Sequence, residues 1–287
     1  MRVACAQYAI RDGDPEANLE RSVAAILDVA ESNADLVVLP ELANSGCDLP
    51  RERALGLAEE LGDPGTPTLQ AWRKATEETG IFVVGGLLER EGDTLYNSAL
   101  VVGPGNFLWR YRKTHLWDGE KLLYEPGRDL PIFQTPFCNI GVLVCYDIWF
   151  PEASRTLALR GADLLCVPAN APDDWVPEGQ RRGGLTMLNA HAISHANANR
   201  LFVACANRVG DGYQGRSCII DATGGVLAFG SATAEELVSA EIDTGRSRRE
   251  KHLTSRSHAF GDRNPAVYGS QANPGTAQTG NFSEPWT

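Results

Sequence analysis

Short apolar runs alternate with helix-like stretches along this chain, and the same order of elements occurs twice. Apolar runs of roughly four to eight residues are typical of buried strands, whereas apolar residues three and four positions apart are typical of helices. The order strand, helix, strand, helix, strand, strand, strand is found first from Arg2 to Arg112 and again from Ile140 to Phe229. This pattern predicts an α/β fold of two mixed sheets packed face to face with helices outside, a four-layer αββα sandwich.

Caps, breakers and turn residues give the individual elements. Asp14 caps a first helix with Pro15 at its first position, Gly80 ends a helical pattern over residues 52–79, and residues 103–106 form a hairpin turn. The predicted strands are 2–8, 34–41, 81–88, 95–102, 107–112, 140–145, 162–167, 201–206, 217–221 and 226–229, and the further helices are 151–160 and about 179–198.

Charge and cysteine usage exclude several classes of protein. The chain of 287 residues has 37 acidic and 26 basic residues and a net charge of -11, which disfavours binding to nucleic acid or to an anionic membrane surface. The first ten residues lack the pattern of a signal peptide and no apolar run approaches ~18 residues, so a cytoplasmic location is expected. Seven cysteines without a C-x-x-C pair fit reduced thiols better than disulfides or a zinc ribbon.

The apolar pattern fades near the C-terminus. From Arg246 the helical and strand periodicities disappear, and the last ~25 residues are rich in Gly, Pro, Asn, Ser and Thr. We therefore expect a single domain over residues 1–245 and a C-terminal extension over residues 246–287, which packs as an arm on the domain or on a partner subunit.

Three ionisable residues stand at the ends of predicted strands: Glu41, Lys113 and Cys145. Ligands and catalytic groups collect at the carboxyl ends of strands in α/β sheets, although each residue alone is as well explained by a cap, a solvated lysine or a buried thiol. Together they supply the parts of thiol-based acyl transfer: a base, an oxyanion-binding cation and a nucleophile. The backbone N–H of Tyr146 is a candidate second oxyanion donor.

Three segments resemble the signature segments of the nitrilase, or carbon-nitrogen hydrolase, superfamily, and they occur in that family's order. They are VVLPELANSGC (37–47), YRKTHLWDGE (111–120) and GVLVCYDIWFPE (141–152). The resemblance covers the predicted domain and implies the αββα sandwich. It also implies that Glu41 is the general base, Lys113 the oxyanion-stabilising lysine and Cys145 the nucleophile.

The family resemblance further implies a second glutamate in the pocket, which orients the substrate and the lysine. Glu120 matches its place in the motif, and Glu125, five residues on, is the alternative. Members of the family cleave nonpeptide C–N bonds of nitriles, amides or carbamoyl compounds. The implied reaction forms a thioester on Cys145 with loss of ammonia, and a water activated by Glu41 releases the acid. It needs no metal or organic cofactor, and a homodimer or larger homo-oligomer is expected.

Residues after the nucleophile favour one branch of the family. Tyr146 and Asp147 occupy positions where true nitrilases typically have Trp and Glu, which favours an amidase. D-amino-acid carbamoylases have arginines where this chain has Ile148 and Trp149, which disfavours an acidic substrate. We therefore predict a short, uncharged aliphatic amide as substrate. The alternatives are an N-carbamoyl-amine hydrolase, a nitrilase, or a catalytically silent member that acts as a binding or scaffold protein.

Several residues on predicted loops are candidates for substrate binding. Trp117, Trp149 and Trp175 follow strand ends, where they can wall a small apolar pocket, and ordinary loop packing is the alternative. Tyr146 and Asn170 complete this predicted set.

The histidines suggest two other sites. His115 stands near Lys113 and is a candidate for the base of a Cys–His pair. A supporting role is favoured over the role of base. His191 and His195 stand four apart on a predicted helix, as metal ligands do. Because no third ligand accompanies them, a buried helix face is favoured and no metal site is predicted.

Overall fold

The computed structural model describes residues 1–62, 66–105, 107–172 and 184–268. Residues Met1–Lys251 form one compact unit, and a second unit begins at His252. The strands of the first unit are β1 (Arg2–Gln7), β2 (Leu36–Val38), β3 (Glu59–Glu60), β4 (Phe82–Glu91), β5 (Thr94–Gly103), β6 (Phe107–Arg112), β7 (Ile132–Gln134), β8 (Asn139–Val142), β9 (Leu164–Ala169), β10 (Phe202–Asn207), β11 (Cys218–Ile220), β12 (Val226–Phe229) and β13 (Glu236–Glu241).

Helices connect these strands. In the first unit they are α1 (Pro15–Glu31), α2 (Arg51–Leu57), α3 (Pro67–Thr79), α4 (Glu120–Leu123), α5 (Pro151–Leu159), α6 (Met187–Asn199) and α7 (Thr244–Arg249), and a 3₁₀ helix spans Cys145–Trp149. The second unit contains β14 (His252–Thr254), which pairs antiparallel with β15 (Ser257–His258), and α8 (Pro265–Tyr268). The predicted division into a domain ending at residue 245 and an arm stays a prediction.

Two mixed sheets form the centre of the first unit. One has the order β13-β1-β2-β4-β5-β6, with β3 beside β4, and the other has the order β12-β11-β10-β9-β8-β7. In each sheet three strands run parallel, β1, β2 and β4 or β8, β9 and β10, and a hairpin adds two antiparallel strands. The duplicated pattern in the sequence therefore corresponds to two sheets of the same local topology.

The sheets pack face to face between two layers of helices. β1, β2 and β4 contact β9 and β10 across the interface between the sheets. Helices α1 and α3 share a core cluster with β1, β2, β4 and β5, and α6 packs against β10 and β11 with α5 beside it. The strands at the centre are buried on both faces, which is why their sequences are continuous apolar runs. The predicted αββα sandwich is confirmed.

A tryptophan fixes the outer helices on the first sheet. Trp72 of α3 is fully buried, and its indole Nε1 donates a hydrogen bond to the Ser22 hydroxyl of α1 at 3.0 Å. Gly85 of β4 leaves space for the ring, because a Cβ there would lie 2.4 Å from the indole. The indole N–H therefore has the partner that a buried donor needs.

The prediction of one continuous helical stretch over residues 52–79 is wrong. The chain forms α2, then the short strand β3, and only at Pro67 begins α3. Proline has no backbone N–H and is favoured at the start of a helix. Pro67 therefore begins a new helix within the stretch of helical periodicity. Glu59 of β3 also accepts the backbone N–H of Thr68 at 3.2 Å, which joins the strand to the new helix.

Most other element boundaries agree with the sequence predictions. Each predicted strand has a counterpart whose ends lie within about three residues of the prediction. Asp14 caps α1 by accepting the Ala17 N–H at 3.1 Å, and Gly80 ends α3 in the left-handed conformation. The helix predicted from about residue 179 is described from Met187, where Thr186 caps it; residues 179–183 lie outside the described ranges.

Strand β13 is an element that the sequence analysis did not predict. It pairs antiparallel with β1 along its whole length, from Arg2 opposite Glu241 to Gln7 opposite Glu236. Its side chains are mostly half-buried, so it lacks the apolar run that marks the central strands. None of the helices among the described residues has both the length and the apolarity needed to cross a bilayer. The homodimer and the cytoplasmic location stay predictions.

Gly86 of β4 lies directly against the backbone of Glu41 and Leu42. A Cβ on Gly86 would lie 2.3 Å from the Leu42 nitrogen and 2.5 Å from the Glu41 Cα, and backbone cannot give way as a flexible side chain does. We expect Gly86→Ala to lower the free energy of unfolding by about 1–3 kcal/mol, as overpacked cores do, in urea denaturation.

Gly56 of α2 is the matched control for this substitution. No atom lies within 4 Å of a Cβ built there, and alanine is the better helix former. Gly56→Ala should therefore change the free energy of unfolding by less than about 1 kcal/mol, in the stabilising direction. Equal stability of the two variants would show that the contact between Gly86 and the backbone of Glu41 is not tight.

Candidate active site

Cys145 stands at a sharp turn rather than inside a strand. β8 ends at Val142, so the predicted strand over 140–145 is three residues too long. Cys145 begins the 3₁₀ helix with φ +46°, a left-handed conformation that few residues other than glycine adopt and that costs of order 1–3 kcal/mol. Apolar Leu143 and Val144 continue the strand-like pattern of the sequence, which is why the strand was predicted to reach the turn at Cys145. Such strained nucleophile turns cluster at active sites.

Glu41 follows β2 and lies next to Asn170, which follows β9. The Asn170 backbone N–H donates to Glu41 Oε2 at 2.9 Å, and Asn170 Nδ2 donates to the Glu41 backbone oxygen at 2.8 Å. Glu41 is 3% exposed. The two residues come from different sheets, so these hydrogen bonds join the sheets at the edge where the strands end.

Lys113 follows β6 and is buried between two carboxylates. Its ammonium donates to Glu41 Oε1 at 2.8 Å, to Glu120 Oε1 at 2.9 Å and to Glu120 Oε2 at 2.7 Å. Burial alone would lower the pKa of Lys113, but the charges of Glu41 and Glu120 outweigh it and hold that pKa well above its usual range. The side chain is therefore a permanently charged ammonium, whose three N–H donors are all engaged.

Asn97 of β5 connects the two glutamates. Its Nδ2 donates to Glu41 Oε1 at 2.7 Å and to Glu120 Oε1 at 2.8 Å, and its backbone oxygen accepts the Lys113 N–H at 2.8 Å. The sequence analysis missed this residue. The signal in the sequence is a polar residue within the otherwise largely apolar segment TLYNSALVVG, because a polar side chain that is buried needs hydrogen-bond partners.

Glu41, Lys113, Glu120, Cys145 and Asn170 line one cavity of about 610 Å³. Its lining residues are Glu41, Cys47, Asp48, Leu49, Pro50, Lys113, Trp117, Asp118, Gly119, Glu120, Leu123, Tyr124, Cys145, Asn170, Pro172 and Tyr213. The structure thus brings Glu41, Lys113 and Cys145 together with Glu120. Glu125, the alternative second glutamate, is exposed and lies outside this lining.

Burial controls the protonation of the thiol. It raises the pKa of the Cys145 thiol well above its usual range, the negative charge of Glu41 raises it further, and the Lys113 ammonium opposes both. Burial also raises the pKa of Glu120, while Lys113 lowers it. A thiol in this environment is protonated at neutral pH, so it needs a base before it can act as a nucleophile.

The predicted aromatic residues form a cluster, but they do not all line the cavity. Trp117 lines it, whereas Tyr146 and Trp149 pack behind Trp117, with ring centroids 4.8 Å and 6.1 Å from its ring. Tyr146 and Trp149 lie in the 3₁₀ helix, where their rings contact Phe150 and His191, respectively, and their part in substrate binding stays a prediction. Trp175 lies outside the described residues.

Three further lining residues, Cys47, Tyr124 and Tyr213, carried no signal in the sequence. The Cys47 thiol lies 3.1 Å from the Tyr213 hydroxyl, and burial raises the pKa of Cys47 to about 11. The Tyr124 hydroxyl and the Asn170 Oδ1 are buried and have no hydrogen-bond partner among the described residues.

His115 and His195 have structural partners. His115 lies 2.8 Å from the Asp147 carboxylate through Nδ1 and stacks on Phe150 at 3.8 Å, so it is outside the cavity lining. His195 Nε2 donates to the Ile148 backbone oxygen at 2.7 Å, which ties α6 to the 3₁₀ helix. Over the described ranges, no cluster of three His, Cys, Asp or Glu side chains is arranged to hold a metal.

Comparison with known proteins places the chain in a family. The carbon-nitrogen hydrolase family model matches residues 2–251. A nitrilase of Pyrococcus abyssi is 34% identical over 275 residues, which are 93% of this chain and 99% of the relative. An (R)-stereoselective amidase of Pseudomonas sp. is 33% identical over 258 residues, which are 88% of this chain and 89% of the relative.

A solved structure agrees with these relatives. The crystal structure of a carbon-nitrogen hydrolase from Helicobacter pylori has a TM-score of 0.81 to this chain at 26% identity, and the match covers 93% of this chain and 96% of that one. The three signature segments, the sandwich of two mixed sheets and the match over residues 2–251 agree. The chain therefore belongs to the carbon-nitrogen hydrolase family.

Proposed function

We propose that this carbon-nitrogen hydrolase converts a small, uncharged aliphatic amide to the carboxylic acid and ammonia through a thioester on Cys145. The observation that carries this proposal is the cavity in which Cys145 lies with the Lys113 ammonium and the two carboxylates bound to it. This set supplies a nucleophile, a base and an oxyanion-binding cation without any further group.

Glu41 has a free position for the thiol proton. Its Oε1 accepts Lys113 and Asn97, but its Oε2 accepts only the Asn170 N–H among the described residues, so a lone pair remains there. As the Cys145 sulfur attacks the amide carbon, its proton passes to Glu41. The protonated Glu41 then gives this proton to the leaving nitrogen, which departs as ammonia, and the acyl group stays on sulfur.

Lys113 holds the negative oxygen of the tetrahedral intermediates. Two of its three hydrogen bonds go to the same carboxylate, Glu120, so one can move to the substrate oxygen while the other keeps the ammonium in place. The Tyr146 backbone N–H, directly after the nucleophile, is the second donor in this proposal. In the second half-reaction Glu41 takes a proton from the water that attacks the thioester carbon. The C–S bond then breaks, and the protonated Glu41 returns this proton to the Cys145 sulfur as the carboxylic acid leaves.

The charges around the cavity favour an uncharged substrate over an acidic one. Four acidic residues lie in its described lining, Glu41, Asp48, Asp118 and Glu120, against the basic residue Lys113. Among the described lining residues, a carboxylate on the substrate would meet like charges, and Lys113 is already paired with two carboxylates. The relative named as an amidase supports amide turnover, and the relative named as a nitrilase keeps nitriles as a second candidate.

A substrate panel tests this function together with the nucleophile. Propionamide, an N-carbamoyl alkylamine and propionitrile are each incubated with the wild-type protein, with Cys145→Ala and with Cys138→Ala. We expect ammonia without carbon dioxide from the amide, and a loss of at least about 10³-fold in the Cys145 variant. Cys138 lies outside the cavity lining, so Cys138→Ala should keep the wild-type rate.

Other outcomes of the panel identify the alternatives. Ammonia together with carbon dioxide indicates a carbamoyl-amine hydrolase, and ammonia from the nitrile alone indicates a nitrilase. Turnover that persists in Cys145→Ala would reject the mechanism, and a folded wild-type protein that turns over none of the three classes would favour a silent binding member.

The pH dependence of thiol alkylation tests the role of Glu41. Burial is the largest cause of the raised pKa of Cys145, and loss of the Glu41 charge offsets only part of that rise. Without Glu41 as proton acceptor, the thiolate is therefore scarce at neutral pH. In Glu41→Gln we expect iodoacetamide to alkylate Cys145 slowly at neutral pH and about tenfold faster for each added pH unit. In the wild-type protein the rate should change little over the same range, measured by mass spectrometry of the Cys145 peptide.

Cys47 is an internal control for the alkylation experiment. It lines the same cavity, and because its pKa is raised to about 11 its alkylation should rise with pH in both proteins. The role of Glu41 as base would be refuted by matching pH profiles of Cys145 in the wild-type and Gln proteins.

A further inference from the structure

A buried carboxylate joins the segment that carries Lys113 to the segment that carries Cys145. We propose that Asp147 is a positioning residue, which holds the backbone around the lysine in register with the backbone before the cysteine. This inference rests on the proposed function, because it assigns Asp147 an effect on the reaction of Cys145. Asp147 lies outside the described lining of the cavity, so it acts through its neighbours.

Asp147 accepts hydrogen bonds from both sides of Lys113. The Tyr111 hydroxyl donates to Asp147 Oδ2 at 2.7 Å. On the other side of the lysine, the Thr114 hydroxyl donates to Oδ1 at 2.9 Å and the His115 backbone N–H donates to Oδ1 at 2.8 Å. The backbone that presents Lys113 is therefore bound to one carboxylate both before and after the lysine.

The same carboxylate binds the residue before the nucleophile. The Val144 backbone N–H donates to Asp147 Oδ2 at 3.0 Å, and the Asp147 N–H donates to the Val144 oxygen at 3.0 Å. Oδ2 thus accepts Tyr111 from one segment and Val144 from the other. Oδ2 therefore joins the lysine segment to the cysteine turn directly, and Oδ1 adds the contacts with Thr114 and His115.

Burial makes this link rigid. Asp147 is 0% exposed, so its charge depends on these donors for the stabilisation that water would otherwise give. Burial and the charge of Asp147 raise the pKa of Tyr111 well above its usual range, so the phenol remains a donor. The adjacent Cys145 has a strained φ of +46°, and such strain persists only where surrounding contacts fix the backbone.

The link matters because of the geometry that the proposed mechanism requires. The Cys145 sulfur bonds to the substrate carbon while the Lys113 ammonium binds the oxygen on that carbon. The ammonium and the sulfur belong to different sheets, and a displacement of 1 Å between reacting groups can cost about 100-fold in rate. Asp147 is the residue that binds backbone or side-chain donors from both segments at once.

Asp147→Asn tests this role, with Asp163→Asn as the matched control. Asn keeps the shape but cannot accept all the N–H and O–H donors, so kcat for the amide should fall roughly 10- to 100-fold while KM changes less than about threefold. Asp163 is also buried and accepts the Asn139 N–H and the Arg248 guanidinium, away from the cavity. Its Asn variant should lose thermal stability and keep the wild-type kcat.

Tyr111→Phe provides a milder variant in case Asp147→Asn does not fold. It removes one hydrogen bond to Oδ2 and keeps the ring, so kcat should fall roughly fivefold with an unchanged KM. An unchanged kcat in either folded variant would overturn the inference, as would a loss in Asp163→Asn that equals the loss in Asp147→Asn.

Cys145→Ala in the same assay separates the two proposals. If Cys145→Ala is inactive and Asp147→Asn has the wild-type kcat, the positioning role falls and the proposed function stands. If Cys145→Ala is as active as the wild-type protein, the proposed function fails, and the inference about Asp147 fails with it.

Discussion

The buried ammonium of Lys113 is the interaction on which the rest of the site depends. A charge of this kind costs several kcal/mol to bury unless it is paired and hydrogen-bonded, and here all three of its N–H donors meet carboxylate oxygens. Glu41 and Glu120 together carry more charge than the ammonium, so further donors are needed, and Asn97 supplies both of its amide hydrogens. The cluster is complete only when the residues that follow β2 and β6 meet Asn97 of β5 and Glu120 of α4.

The face-to-face packing of the sheets makes this cluster part of a reaction site. The ammonium and the carboxylates belong to the first half of the chain, whereas Cys145 and Asn170 belong to the second half. Neither half contains by itself all three parts of the proposed mechanism, the nucleophile, the base and the oxyanion donor. The Asn170 contacts with Glu41 and the Asp147 contacts with Tyr111 bind the halves together beside the cavity. The same hydrogen bonds that stabilise the interface therefore also set the geometry of the site.

The sequence predicted the features that depend on local pattern and failed for those that depend on distant partners. Apolar runs and caps predicted the two sheets, because buried strands and amphipathic helices have distinct periodicities. The strand before Cys145 was predicted three residues too long because Leu143 and Val144 fit a strand, while the backbone there is set by Asp147 and by contacts with other elements. Glu120 could not be separated from Glu125 by motif spacing alone, and Asn97 acquires its place only from residues 56 and 23 positions away.

The proposed acylation of Cys145 beside the Lys113 cluster is tested most directly by mass spectrometry of protein quenched during turnover. Acid quenching in the first turnover of a small amide, followed by peptide mapping, should find the mass of the acyl group on the peptide that contains Cys145. A burst of ammonia without an acyl group on Cys145, or an acyl group on another side chain, would contradict the account.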